Sequence, residues 1–260
     1  MKIKYFNLLF ILLLLTVYTD ATAQVCGISG TKLCVPHGNT LSKGSFEFEP
    51  SFSVFSAKQF FNRDGSSDEL VSRNVQSDLV FRITLGLLDN LEFGTSFSPG
   101  MEDISVGSKL ALIQNDNLAF AFLIGGSLPA GNYSGSDESV KNDLYTYSTG
   151  VSLTNDFTEI FSLDTYVSYT KINGTSEFNH LISYGTGAGY YITEVLQAVF
   201  EINGFHTFNG SFHSRKLSLT PGFTFDFSSN LGFAFGFQKD ITGVNELNGL
   251  SYFSAFTMSF

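Results

Sequence analysis

Residues 217–238 read LSLTPGFTFDFSSNLGFAFGFQ, and apolar side chains occupy almost every second position on both sides of the SSN tripeptide. A period of two places alternate residues on opposite faces of an extended strand, whereas helical spacing would scatter them around a cylinder. Ser and Asn are typical of tight turns. The stretch therefore predicts two adjacent β-strands, with the alternating sets Leu217, Leu219, Phe223, Phe225 and Phe227, and Leu231, Phe233, Phe235 and Phe237.

The same alternation occurs in twelve segments between Phe46 and Phe260. Beyond the N-terminal region, no apolar run approaches the ~18–20 residues that a membrane-spanning helix needs. A closed barrel is the other structure that satisfies every backbone polar group within a bilayer. We therefore predict an all-β fold, a transmembrane antiparallel up-and-down β-barrel of twelve strands. Ten or fourteen strands would also fit this pattern, but eleven would not, because bacterial barrels have even counts.

The predicted links between strands alternate between short and long. Short links fall at 89–90, 115–117, 155–156, 193–194 and 228–230, and longer polar links at 56–73, 129–143, 171–180, 207–215 and 239–249; the link at 99–103 is short. Outer-membrane barrels have short periplasmic turns and longer outer loops. This parity predicts that both termini lie on the periplasmic side.

The composition agrees with a membrane-exposed β protein. The chain has 29 Phe, 11 Tyr, 25 Gly and no Trp, and only 15% of its residues are charged, against about 25% in soluble domains. The formal net charge of −10 excludes a nucleic-acid binder, which needs a basic surface for phosphates. The composition also excludes a disordered chain.

The first residues have the pattern of a secretory signal peptide. Lys2 and Lys4 precede a short apolar run, and Ala21-Thr22-Ala23 matches a cleavage site. We predict cleavage after Ala23, an N-terminal segment 24–43 and a barrel 44–260. Cys26 and Cys34 are the only cysteines, and in an exported chain they favour a disulfide. The segment 24–43 has no strand pattern; we expect it to cap the periplasmic mouth or to plug the lumen.

If the apolar set of each strand faces lipid, the other set lines the lumen. Buried charges must be paired or hydrated, so a wet or salt-bridged interior is expected. Many inward positions are Gly, Ala or Ser, which either leave a narrow conduit or relieve crowding where strands bend. The charged and amide candidates for the lumen are Glu47, Glu49, Arg82, Glu92, Lys109, Asp164, Gln197, Glu201, Lys216, Asp226 and Gln238.

The C-terminal strand ends on Phe260, with Tyr252, Phe256 and Met258 at alternate positions before it. This pattern resembles the C-terminal signature of bacterial outer-membrane barrels, which the barrel-assembly machinery recognises. The expected location is therefore the bacterial outer membrane. Outer-membrane lipid and lipopolysaccharide, the assembly machinery and a small-molecule solute are the expected partners.

Catalytic and metal chemistry find little support in the sequence. Lipid-acting barrel enzymes need a Ser nucleophile and a His base within hydrogen-bond reach. His213 and Ser214 are adjacent, which on a strand points them to opposite faces. Cys26, Cys34 and His37 provide three metal ligands without an obvious fourth. We predict no enzyme activity, no cofactor and no metal site.

Residues 103–132 carry a family resemblance. Asp103 and the Gly107-x-Lys109 motif, followed by Leu128-Pro129-x-Gly131-Asn132, resemble the transporter family named after the meta-pathway of phenol degradation. Ala130 and Asn132 stand where that family has Thr and Asp. The resemblance implies an outer-membrane barrel that handles small, hydrophobic or aromatic compounds.

Two functions follow from these observations. The first is a passive channel, transporter or binding site for a small solute, hydrophobic or aromatic if the family resemblance holds. The second is a non-transporting structural or interaction barrel that acts through its acidic outer loops, chiefly 56–73 and 129–143. An open lumen favours the first, and a lumen filled by a plug and ion pairs favours the second.

Overall fold

The computed structural model describes residues 28–29, 32–101, 103–130, 145–173, 179–209 and 212–260. Twelve antiparallel strands form one closed barrel, in which each strand pairs with its neighbours in sequence and the last pairs with the first. The predicted strand count is confirmed. The strands are β1 (Phe46–Phe61), β2 (Ser67–Leu88), β3 (Leu91–Phe97), β4 (Asp103–Gln114), β5 (Leu118–Pro129), β6 (Tyr145–Thr158), β7 (Phe161–Asn173), β8 (His180–Tyr191), β9 (Leu196–Asn209), β10 (Phe212–Ser228), β11 (Leu231–Val244) and β12 (Glu246–Ser259).

Burial alternates along the strands as the sequence pattern predicts. On β7, for example, Ser162, Asp164 and Tyr166 are buried, whereas Phe161 and Val167 are exposed. A folded soluble protein would not leave a continuous apolar belt in contact with water. The outside of this barrel carries such a belt, which includes Phe52, Phe93, Phe122, Phe200, Phe223, Phe235, Phe237 and Phe256, each at least 40% exposed.

The barrel closes between β1 and β12. Glu47 pairs with Ser259, and the backbone groups of Phe46 and Phe260 exchange two hydrogen bonds of 2.9 and 2.8 Å. The C-terminal Phe260 therefore completes the hydrogen-bonded seam, and its ring packs against that of Phe46 at 6.0 Å between centroids.

Several predicted loops are wrong, because the strands extend further than their apolar pattern. The segments 56–73 and 239–249 are largely strand: β1 and β2 turn at residues 62–66, and β11 and β12 turn at Asn245 alone. In the segment 207–215, residues 207–209 and 212–215 are strand; in the segment 171–180, residues 171–173 and 180 are strand and 174–178 lie outside the described residues. The turn predicted at 155–156 lies at 159–160, since Asp156 still pairs with Ser162. A strand end beyond the lipid keeps its backbone ladder without an apolar face, so alternation stops before the strand does. The segment 131–144 lies outside the described residues.

β3 is the shortest strand, so the barrel wall is lowest at β3, where β2 extends beyond it. β2 pairs with β3 only from Phe81 onward, while its residues 67–80 pair with β1 alone in the described part of the chain. In that same part, no helix has the length and apolar character to cross a membrane.

Candidate functional site: the occupied lumen

The N-terminal segment lies inside the barrel. Its described residues 28–29 and 32–41 bond to inward-facing side chains of β3, β4, β6, β7 and β9, on opposite sides of the lumen. Ile28 and Val35 are 1% and 0% exposed, as buried as any core residue. We name residues 28–41 the plug segment. Residues 1–27, which include the predicted signal peptide and Cys26, lie outside the described part of the chain.

Glu92 on β3 and Lys109 on β4 hold both ends of the plug segment. The Ser29 amide and hydroxyl donate to the Glu92 carboxylate at 2.8 and 2.6 Å, and the Leu41 amide donates to it at 2.9 Å. The Lys109 ammonium lies 3.3 Å from Glu92 and donates to the Ser29 carbonyl at 3.0 Å and to the His37 carbonyl at 3.4 Å. Because both charged side chains are fully buried, their mutual pairing and these bonds offset the cost of burying them.

Glu201 on β9 binds three consecutive backbone amides. Leu33, Cys34 and Val35 donate to its two carboxylate oxygens at 3.1, 2.9 and 3.2 Å, and the Asn203 side chain donates at 3.2 Å. A fully buried carboxylate with no cation beside it is costly, and charge-assisted bonds to amides compensate for part of that cost. Glu201 therefore fixes the backbone of the plug segment rather than its side chains.

Asp164 on β7 provides the third anchor. It forms a buried ion pair with Lys32 and accepts a hydrogen bond from the Thr154 hydroxyl at 2.6 Å, while Thr154 accepts from the Gly38 amide at 2.9 Å. His37 Nε2 lies 3.7 Å from the same carboxylate. Burial nevertheless lowers the pKa of His37 to about 4. The imidazole is therefore neutral at pH 7, and Lys32 is the cation that pairs with Asp164.

Glycines on the barrel wall make room for plug side chains. A Cβ at Gly189 would lie 2.5 Å from the Lys32 side chain, and a Cβ at Gly222 would lie 2.9 Å from that of Leu33. Both distances are shorter than real Cβ contacts, so a methyl group at either position would push the plug side chain out of its place. Of the two sequence interpretations of inward glycines, neither anticipated that they seat the plug.

Beyond the plug, towards the β1–β2 turn, the lumen is aromatic with one paired cation. The Lys216 ammonium lies 3.5 Å from Asp240 and 5.6 and 5.5 Å from the centroids of the Phe55 and Phe205 rings. Cation–π contacts of this kind stabilise a desolvated ammonium. The inward-facing Phe253 ring covers the Cα of Gly236 at the same end of the lumen.

Most of the remaining lumen candidates bond to other residues of the barrel wall, and Gln197 also lies beside the Lys32 side chain of the plug segment. Arg82 bonds to Glu47 at 2.9 Å and to Glu49 at 2.8 Å, joining β1 and β2. Gln197 is buried between Thr224, which donates to it at 3.4 Å, and the Cα of Gly189. Two others are more accessible: Asp226 is exposed and accepts from the Tyr191 hydroxyl at 3.1 Å, and Gln238 is half-buried.

The predicted Cys26–Cys34 disulfide is not present. Cys34 is a free thiol whose backbone amide is fixed by Glu201 inside the lumen. Burial and the neighbouring Glu201 carboxylate raise the pKa of this thiol. The thiol is therefore protonated at neutral pH, the less reactive form for disulfide exchange.

The motif residues of the family resemblance fall on two paired strands. Asp103 pairs with Pro129, and Ile104 with Leu128, at the end of β4 and β5. Gly107 and Lys109 face the lumen, and Lys109 holds the plug segment. Gly131 and Asn132 lie outside the described residues. Sequence reasoning missed Ser29, Lys32 and Thr154, whose partners lie 10–132 residues away along the chain; Lys32, the one Lys between residues 28 and 41, was the available signal.

His213 and Ser214, which are adjacent in sequence, point to opposite faces of β10. His213 is exposed on the outer face of β10, and Ser214 is buried on the inner face, where its hydroxyl donates to Glu246 at 2.6 Å. Among the described residues, no three His, Cys, Asp or Glu are grouped so as to hold a metal ion.

Comparison with known proteins places this geometry in context. A search of curated protein sequences returns no match. Among solved structures, the COG4313 outer membrane channel from Pseudomonas putida F1 superposes with a TM-score of 0.69 at 12% identity, covering 85% of this chain and 97% of that one. The deltaS2 mutant of the TodX monoaromatic hydrocarbon channel gives a TM-score of 0.50 at 10% identity, covering 92% and 98%. At this level of identity, the superpositions show a shared barrel fold. The family model described as "Putative MetA-pathway of phenol degradation" matches residues 50–255, and the chain belongs to this family.

Proposed function

We propose that the protein is an outer-membrane channel or binding barrel for one small solute, opened by displacement of the plug segment. The apolar belt of Phe and Tyr on the outside supports a membrane location. Membership of the family supports a role in handling small compounds. The signal-peptide pattern of residues 1–23 supports export of the chain.

The way in which the plug segment is held carries this proposal. It contributes no strand to the barrel, and Glu92, Asp164 and Glu201 bind it through backbone amides and one ion pair. A segment that adds no strand to the barrel can leave the lumen without unfolding one. The lumen behind it is lined by small residues, including Ser148, Ser168 and Gly150.

A small hydrophobic or aromatic compound fits the lumen beyond the plug best. The Phe55, Phe205 and Phe253 rings face this space, and aromatic rings attract one another through offset or edge contacts. The similar TodX structure is described as a monoaromatic hydrocarbon channel, which points to the same class of solute.

We also propose that both chain termini lie on the periplasmic side. Gly44 and Phe260, where the barrel begins and ends, lie at the same end as the tight turns at 89–90 and 229–230. The longest link, 130–144, lies at the opposite end. Outer-membrane barrels place their longer loops outside the cell.

The second candidate, a non-transporting barrel, is favoured by one observation: the lumen is filled by the plug and by ion pairs such as Lys109–Glu92. The two candidates differ in what happens when the plug is loosened. A structural barrel gains nothing from a movable plug.

Single-channel recording in planar bilayers, together with uptake of a labelled monoaromatic compound into liposomes, tests the proposal. The variants are a deletion of residues 24–43 and the full-length triple variant E92Q/D164N/E201Q. D226N is the control, because it removes a lumen carboxylate that does not contact the plug segment. We expect higher conductance and faster uptake for both plug variants only. Unchanged conductance would contradict the plug, and no channel events with no uptake would favour the structural barrel.

A further inference from the structure

The outer wall of the barrel carries a band of basic and imidazole side chains at the end opposite the termini. Cross-strand pairing aligns these outward-facing residues in two adjacent rows. One row is Tyr147–Lys171–His180–Phe208–His213, and the other is Thr149–Tyr169–Ile182–His206–Arg215, each running from β6 to β10. We name the five cationic or imidazole residues of these rows, Lys171, His180, His206, His213 and Arg215, the basic band.

The basic band contrasts with the charge of the whole molecule. The chain has a net charge of −10 and only four histidines, yet three of those histidines, with a Lys and an Arg, share this patch. None of the outward-facing residues described on β6–β10 is Asp or Glu. Neither Lys171 nor Arg215 has a carboxylate partner among the described residues. In the described part of the chain, the patch therefore presents positive charge that no carboxylate neutralises.

Ring contacts fix the imidazoles in place. The Tyr169 hydroxyl and His180 Nδ1 lie 2.6 Å apart, and the His180 ring stacks on Phe208 at 5.2 Å between centroids. His206 packs against Phe208 at 5.6 Å and against His213 at 6.2 Å. His206 Nε2 is buried from solvent and has no hydrogen-bond partner among the described residues. A buried polar atom without a partner needs a ligand or water to satisfy it.

An apolar groove opens on the same outer wall directly beside the basic band. It has a volume of about 340 Å³ and is lined by Phe122, Thr149, Val151, Val167, Tyr169 and Ile182. Thr149, Tyr169 and Ile182 belong both to this groove and to the second row of the band. The wall thus combines an apolar groove within the lipid belt with cationic groups at the edge of that belt.

We propose that this wall binds a phosphorylated membrane lipid, with its phosphate on the basic band and one acyl chain in the groove. Lys and Arg near a membrane surface attract anionic lipid headgroups, and Tyr side chains mark the interface depth at which headgroups lie. With the periplasmic termini proposed above, the leaflet is the outer one. The ligand is then the bis-phosphorylated lipid A portion of lipopolysaccharide.

Binding is measured on the full-length protein in uncharged detergent micelles, by native mass spectrometry and by the shift in melting temperature. The probes are bis-phosphorylated lipid A, monophosphoryl lipid A, phosphatidylglycerol and inorganic phosphate. We expect the tightest binding for bis-phosphorylated lipid A. The variant K171Q/R215Q should weaken it roughly 10- to 30-fold, because each cation near a membrane surface contributes about 1 kcal/mol.

The matched control is K58Q/R63Q, which removes two exposed cations from the same end of the barrel outside the band. Heat-modifiable gel migration checks that each variant is folded. If K171Q/R215Q does not fold, the milder single variant H206Q is used for the same binding test. A second arm fills the groove with V167W, against V106W on the outer face of β4. V167W should weaken lipid A binding and leave inorganic phosphate unaffected.

The proposal would be overturned if K171Q/R215Q and K58Q/R63Q weakened lipid A binding equally. It would also be overturned if neither variant changed lipid A binding. Equally tight binding of phosphatidylglycerol would overturn the assignment to lipid A, and tight binding of inorganic phosphate would reduce the band to a simple anion site. None of these readouts depends on conductance. The lipid site and the channel can therefore fail separately.

Discussion

At the scale of single residues, the lumen is organised by carboxylates that bind backbone. Glu201 accepts hydrogen bonds from three successive plug amides and has no paired cation among the described residues, and Glu92 accepts from two plug amides. Binding through the backbone makes the interaction insensitive to most plug side chains. The wall carboxylates are therefore the positions where substitution should act.

The first prediction concerns Glu201→Gln. The amide nitrogen of Gln cannot accept a hydrogen bond, so at least one plug amide loses its partner, at a cost of about 1–3 kcal/mol. Hydrogen exchange at Leu33, Cys34 and Val35 should become at least roughly tenfold faster, which corresponds to about 1.4 kcal/mol. Asp226→Asn serves as the control and should leave these rates unchanged. Unaltered exchange in the Glu201 variant would show that the carboxylate does not hold the plug.

The second prediction concerns the buried pair Lys32–Asp164. Removing one partner leaves an uncompensated buried charge, which costs about 3–5 kcal/mol. Lys32→Met and Asp164→Asn should each lower the free energy of unfolding by more than half of the loss that the double variant shows. A double-mutant cycle on urea unfolding in micelles measures this coupling. Strictly additive losses would mean that the two side chains do not interact.

At the scale of elements, glycine positions on β8–β11 determine what the lumen can hold. A Cβ at Gly189 would collide with Lys32 and with Gln197, at 2.5 and 2.6 Å. A Cβ at Gly232, also inward-facing, would meet nothing closer than 3.8 Å. The two positions therefore form a matched pair, because an added methyl group is crowded at Gly189 and has room at Gly232.

The third prediction is that Gly189→Ala destabilises the protein and Gly232→Ala does not. Overpacking at Gly189 should cost about 1–3 kcal/mol, and thermal unfolding in micelles should show a lower midpoint. Ala at Gly232 should be neutral or slightly stabilising, because it reduces the conformational freedom of the unfolded chain. Equal midpoints for the two variants would contradict the close packing of Lys32 and Gln197 on Gly189.

The strands were predictable from sequence because lipid imposes the alternation directly. Leu91, Phe93 and Phe97 define β3 with the bounds that the structure shows. The hairpin ends were not predictable, because beyond the lipid polar residues such as Gln59 and Asn248 continue the ladder without a pattern. The plug path was not predictable either. It depends on contacts between residues up to 168 positions apart, and no periodicity encodes them.

At the scale of the whole molecule, the wall is uneven in both height and charge. β2 rises above the short β3, whereas β6–β10 carry the basic band. The backbone bonds between Phe46 and Phe260 close the barrel at the end where the plug segment enters. Entry of the plug and closure of the seam therefore lie at one mouth, which is the periplasmic one in the orientation that we propose.

The fourth prediction tests this orientation. Asp64 lies in the β1–β2 turn and Glu194 in the β8–β9 turn, at opposite ends of the barrel, and both are exposed. In a C26S/C34S background, a membrane-impermeant maleimide should label Asp64→Cys on intact cells. It should label Glu194→Cys only after the outer membrane is permeabilised, and both should react fully once denatured. Because a barrel inserts as one unit, its two ends cannot exchange sides, so the reverse pattern would place the termini outside and move the basic band to the periplasmic leaflet.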